Sequence, residues 1–210
     1  MTNEELELSV KPLLEELTDL NECAMEIAKA LIGETLFKTD LYFCALLNKS
    51  VQLTDGFIEL IGQRNLTCAG ILLRANMDNC LRLFAMYISE NPEQLVDCIM
   101  KCEKIDKLKD TTGKQLKDWY LKEQLGKYDS RIVDVYNNSS GYVHFSEKGF
   151  FQSVGVASEN TISIQVSHLL PEKANEYVLE CVDAYIYYLK LFYSLFTDII
   201  RMKEEYDNEH

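Results

Sequence analysis

The chain has 210 residues, 47% of them apolar, and a formal net charge of −13. That length and apolar content suit one domain with a substantial core and exclude a largely disordered chain. The overall acidity speaks against broad nucleic-acid affinity, which depends on a concentrated positive field. The charge is unevenly spread. Residues 1 to 26 hold eight acids against Lys11, whereas residues 101 to 127 hold eight lysines against five acids. The acidic start, MTNEELELSV, lacks the basic and apolar blocks of an export signal. Without such a signal, the odd number of cysteines, seven, points to reduced thiols and a cytoplasmic location. The most apolar stretch, Ala184 to Ile200, is interrupted by Lys190 and Asp198, so no membrane association is expected.

Helical periodicity dominates the chain order. A first helix is expected from about Glu4 to Ile32, with Leu6, Val10, Leu13, Leu17 and Leu20 on one stripe and Gly33 as its stop. A second starts at Thr39 or Asp40 and carries Leu46, Val51, Phe57 and Ile61. A third, from about Leu66 to Ser89, is apolar almost all round and should lie at the centre. Asn91-Pro92-Glu93-Gln94 predicts a helix start, with Asn91 as cap, Pro92 in the first turn and Gln94 closing a capping box. That helix should run to about Lys104. A further helix is expected from about Lys114 to Leu125, ended by Gly126, and another from Tyr128 onward.

After Gly149 the period changes to two. Val154 and Val156 alternate with small residues, then Ile162, Ile164 and Val166 alternate with polar ones, which reads as a β-hairpin turning at Ser158-Glu159-Asn160. Pro171 opens a long last helix to about Glu205. The expected fold is all-α: a bundle of about six helices over residues 1–210, with one β-hairpin inserted at about 150–168, before the long C-terminal helix.

Two stretches carry polar chemistry. The third helix holds Arg74, Asp78 and Arg82 at successive i+4 spacing, and Asp78 can pair with either arginine. A charge in so apolar a helix needs a partner or a ligand. The stretch YNNSSGYVH, from Tyr136 to His144, is the second. If it is helical, Tyr136, Ser140 and His144 share one face. Gly141 opposes this by about 1 kcal/mol, but small residues also let helices approach closely. No HExxH or CxxC is present, so neither a metal nor a cofactor is expected. GxSxG, GxxxxGK[ST] and GxGxxG are also missing. Cys98 and Cys102, one turn apart, are expected to be small buried residues.

An Arg-bearing central helix, ILLRANMDNCLRLFAMYI, followed by Tyr-x3-Ser-x2-Val-His, resembles a group of bacterial all-helical proteins without an assigned activity, over about residues 60 to 200. The resemblance implies Arg74, Asp78, Ser140 and His144 as a shared polar set. More distantly, such bundles look like HEPN domains, some of which cut RNA without a metal. Those nucleases place Arg and His close together on one helix. Here Arg131 and His144 are too far apart for that pattern.

Three readings follow. The first is a non-enzymatic binding domain whose internal polar pocket, lined by Arg74, Asp78, Tyr136, Ser140 and His144, takes a small anionic ligand or a protein partner. The second is a metal-independent ribonuclease with His144 as general acid and base and Arg74 stabilising phosphate charge. The third is a structural subunit that forms a homodimer through Tyr185, Tyr187, Tyr188, Phe192, Tyr193 and Phe196 of the C-terminal helix, too many rings for one core-facing stripe.

Overall fold

The structure, a computed structural model, describes residues 1–143, 150, 153–158, 161–164, 166–167 and 170–209. The all-α architecture is present. Helices α1 (Asn3–Glu22), α2 (Ala24–Ile32), α3 (Lys38–Gly62), α4 (Leu66–Ile88), α5 (Pro92–Met100), α6 (Asp118–Leu125) and α7 (Arg131–Val143) precede an antiparallel hairpin, β1 (Val154–Ser158) and β2 (Thr161–Ile164). Helix α8 (Asn175–Glu209) closes the chain. No helix among the described residues is long and apolar enough to cross a membrane.

Helix α4 is the pillar. It packs against α3, α5, α6, α7 and α8, and only Thr67, Cys68, Ile71 and Tyr87 along it are exposed. Two buried asparagines face α3: Asn79 Nδ2 donates to the Leu46 carbonyl at 2.9 Å, and Ser50 Oγ donates to Asn76 Oδ1 at 3.1 Å. Beside them Thr54 and Tyr185 share a hydroxyl contact at 3.2 Å, and the Tyr185 ring stacks on Phe57 at 3.9 Å. These bonds give each asparagine one partner inside an otherwise apolar interface and tie α3 to α4, while Asn76 Nδ2 and Asn79 Oδ1 stay buried without one among the described residues.

Helix α8 runs along α1, α2, α3 and α4. Tyr185, Tyr188, Phe192 and Phe196 are completely buried, and Tyr187 and Tyr193 partly so. The surplus of rings is absorbed because α8 is covered by several neighbours inside the same chain, not along one stripe.

Several local expectations are refined. The first helical stretch divides at Cys23 into α1 and α2. It stops before Gly33, whose φ is +53° and where an added Cβ would meet Asp207 Oδ2 at 2.3 Å. Asn91 Oδ1 accepts from the Gln94 N–H as expected, but the reciprocal half of the box is replaced: the Asn91 N–H donates to Ser89 Oγ at 3.3 Å. Helix α5 ends at Met100, not Lys104. Cys98 is buried, but Cys102 is exposed and has a left-handed φ of +58° just past that end. Helix α6 starts at Asp118 because the chain before it is held as a tight loop by Asp110. That carboxylate accepts from the backbone N–H of Thr112 and Lys114 and from the Tyr120 hydroxyl. Burial raises its pKa, and these hydrogen bonds outweigh the burial, bringing it down to about 2. Helix α7 starts at Arg131, where Asp129 Oδ1 accepts the Arg131 N–H at 2.9 Å. The hairpin pairs Val154 with Ile164 and Val156 with Ile162. Ile162 and Ile164 nevertheless lie exposed, so the alternation predicts the strands but not a buried face. Gly149 and the turn residues Glu159 and Asn160 lie outside the described residues.

Near the end of α8, Lys203 reaches back to Asp40 in the first turn of α3 with Nζ to Oδ2 at 2.6 Å; both side chains are about 95% buried, at 6% and 5% exposure. Lys203 also donates to the Thr35 carbonyl. The pair ties the last helix to the α2–α3 connection. Lys203→Met leaves Asp40 buried and uncompensated, and is expected to lower unfolding free energy by about 3–5 kcal/mol. Lys203→Met combined with Asp40→Asn should lose markedly less. Urea denaturation of the two variants checks this; equal losses would contradict it.

Candidate functional site

The stretch from Asn137 to Gly141 is helical, part of α7. Propensity opposes this, and packing overrides it. Helix α7 is pinned to α8 by Tyr188, whose hydroxyl donates to the Ile132 carbonyl at 2.5 Å. It is also packed along α4. Ser139, buried, donates its Oγ to the Tyr136 carbonyl at 2.8 Å, so a poor helix former is satisfied within the helix.

Three of the five candidate residues meet. Arg74 Nε donates to Asp78 Oδ1 at 3.3 Å along α4. The Arg74 guanidinium carbon lies 3.6 Å from the centroid of the Tyr136 ring, close enough for a strong cation–π contact. The Tyr136 hydroxyl then donates to the same Asp78 Oδ1 at 3.0 Å. The three side chains thus form a closed triangle joining α4 to α7. The Arg74 side chain is 21% exposed and that of Asp78 39%, so water reaches the triangle. Burial first, and then the Asp78 carboxylate, push the Tyr136 hydroxyl well above the usual tyrosine range. A hydroxyl held in this way keeps its proton for the bond to Asp78. Ser140 lies in α7, but its side chain and all of His144 lie outside the described residues.

Arg82 does not join the triangle. It turns to α6 and pairs with Asp118 at 2.5 Å.

Residue-pattern reasoning missed three partners. Lys122 of α6 places Nζ 5.4 Å from the same Tyr136 ring and donates to Asn137 Oδ1 at 2.9 Å. Its only trace in the sequence was the basic character of residues 101 to 127. The second omission is a parallel trio at the start of α7. Arg131 stacks on Tyr187 at 3.8 Å, and the Tyr187 hydroxyl donates to Asp129 Oδ2 at 2.7 Å. That hydrogen bond, followed by the Arg131 N–H, holds the Asp129 carboxyl below its usual range. Arg131 and Tyr187 edge a cleft of 330 Å³ between α4, α7 and α8, with Leu73 and Ala184 as apolar lining and Glu180 and Asp183 as acids. The third is Arg64, at a left-handed φ of +56° after α3, whose Nη2 donates to Asn175 Oδ1 at 2.7 Å and to the Leu170 carbonyl. No spacing rule connects residues so distant in sequence.

Among the described residues no group of three or more His, Cys, Asp or Glu side chains is arranged to hold a metal ion. All seven cysteines are thiols. The fold and cluster together define an all-helical protein whose central helix carries an arginine–carboxylate–tyrosine clamp onto a neighbouring helix. No protein-family model, curated protein or solved structure matches the chain.

The triangle makes a stability prediction. Tyr136→Phe keeps the ring under Arg74 and removes only the hydroxyl donor to Asp78. A loss of about 1–2 kcal/mol in unfolding free energy is expected, whereas Tyr136→Leu, which also removes the stack, should lose more. Equal effects of the two substitutions in chemical denaturation would show that the stack contributes nothing.

Proposed function

We propose that this chain is a non-enzymatic binding domain that takes a small anionic group at the junction of α4, α6 and α7. The observation that carries the reading is the convergence of two cations on one ring, one of them with a guanidinium nitrogen still unbonded. Arg74 and Lys122 both approach Tyr136, while Asp78 is the one carboxylate that the triangle contains. Arg74 uses Nε on Asp78 and Nη1 on the Tyr136 carbonyl at 3.5 Å, a long contact. Its Nη2 meets no hydrogen-bond partner among the described residues. A guanidinium fixed by stacking on one side, with N–H groups still unused, is pre-organised for an oxyanion. Lys122 would add a second, more mobile cation. Asp78 and Tyr136 would orient Arg74 without touching the ligand. The seven thiols suit a reducing, cytoplasmic setting.

Orthophosphate is the simplest probe. Titration followed by NMR of the Arg side-chain Nε–Hε groups should move the Arg74 signal saturably, and Lys122→Ala should weaken the apparent affinity by roughly three- to tenfold. An Arg74 signal that stays fixed while phosphate rises would overturn the reading.

A further inference from the structure

A second cleft, of 400 Å³, forms where α1 meets the last turn of α3 and the first turns of α8. Leu6, Val10, Ile61 and Val178, all buried, make its base, and Leu14 extends it along α1. Set into this apolar lining is Arg64, two residues past the end of α3.

Arg64 differs from every other arginine of the chain. Arg74, Arg82, Arg131 and Arg201 each pair with an aspartate. Arg64 pairs with no carboxylate among the described residues and meets only neutral acceptors, the Leu170 carbonyl at 3.1 Å and Asn175 Oδ1 at 2.7 Å. Both bonds use Nη2. Its Nε is buried without a partner. Its Nη1 donates to no described residue either and, unlike Nε, is not shut off from solvent, so it is the nitrogen that a ligand can reach. The side chain is nonetheless fixed. Asn175 is completely buried, and its Nδ2 donates to the Met1 carbonyl at 3.2 Å and to Asn3 Oδ1 at 3.1 Å. The φ of +56° that places Arg64 is one that non-glycine residues rarely adopt. A part-buried guanidinium held in place without a counter-charge is an incomplete ion pair.

We infer that this cleft binds a monocarboxylate with an apolar chain, its carboxylate on Arg64 Nη1 and its chain against Leu6, Val10, Ile61 and Val178. The size fits, since small-molecule sites span roughly 300–1,000 Å³. The unpaired cation calls for an anion, and a carboxylate meets a guanidinium N–H with a charge-assisted bond. The apolar base calls for an apolar body, whose burial drives association. The rim limits the head to one negative charge. Two cations, Arg64 and Lys11, stand there against two acids, Glu7 and Glu15, so the lining has no net charge and a second negative charge would meet no further cation. The bonds through Asn175 hold Arg64 in place, so binding needs no rearrangement of its Nη2 contacts. This site shares no residue with the Arg74 triangle, and neither reading depends on the other.

Octanoate and 1-octanol separate the elements of the inference, because they share the chain and only octanoate carries the charge. The experiment is titration of the full chain with each compound, followed by the Arg64 Nε–Hε NMR signal and by intermolecular NOEs. Octanoate should move the Arg64 signal saturably and show NOEs from its chain to the methyls of Val10 and Val178. 1-Octanol should bind about tenfold more weakly, the loss of one charge-assisted hydrogen bond. Arg64→Gln should bring the two affinities together, a ratio read within the variant and so independent of its stability; the comparison in the unaltered chain stands without it. Equal affinity of the unaltered chain for the two compounds, or a preference for octanoate that survives Arg64→Gln, would overturn the role of Arg64. No saturable shift with octanoate, or NOEs confined to other residues, would overturn the site itself.

Discussion

The burial of α4 on almost every side is the constraint on which the other helices depend. A helix so enclosed shields most of its polar side chains from water, so they turn to protein partners. Asn76 and Asn79 find theirs on α3, Arg82 on α6, and Arg74 on its own helix and on α7. These bonds decide which neighbour lies on which face. The aromatic layer from α8, with Tyr185 on Phe57 and Phe192 on Phe196, fills the space between them.

The position of α7 follows from this. Its sequence, RIVDVYNNSSGYV, is a mediocre helix former, and little intrinsic preference holds it. Instead, Tyr136 grips α4 and Tyr188 of α8 grips the Ile132 carbonyl. In both trios an arginine stacks on a tyrosine whose hydroxyl is given to an aspartate, one at Arg74 and one at Arg131. The repeated arrangement combines a planar cation, a ring and an acceptor. Among the described residues only the Arg74 version has a second cation over its ring, which is why the proposed anion site is placed there.

Much of this was legible in the sequence, and the reasons are local. Long helices with a clear apolar period, such as Leu66–Ile88, are read almost to the residue because period and length agree. The Arg74–Asp78 pair followed from i+4 spacing on one helix. Tyr136 is placed beside it by a helix that continues through Gly141, and that helix is present; the Ser140 side chain and His144 lie outside the described residues. Long-range partners were not legible. Lys203 and Asp40 are 163 positions apart, and Arg64 and Asn175 are 111 apart; no periodicity links them. The aromatic surplus of α8 exceeds one core-facing stripe, but a helix covered by several neighbours buries more than one stripe, and Tyr185, Tyr188, Phe192 and Phe196 are all inside. The apolar alternation of Ile162 and Ile164 identified strands without identifying what faces them.

The central claim is that α4 is the element whose packing the others share. Native-state hydrogen exchange of the full chain tests it directly. If the claim is correct, amides from Leu73 to Phe84 exchange only through global unfolding, with protection equal to the unfolding free energy from denaturation. Those of α7 open at lower free energy without affecting α4. Exchange of the α4 amides through a local opening, at a free energy well below that of global unfolding, would contradict the account.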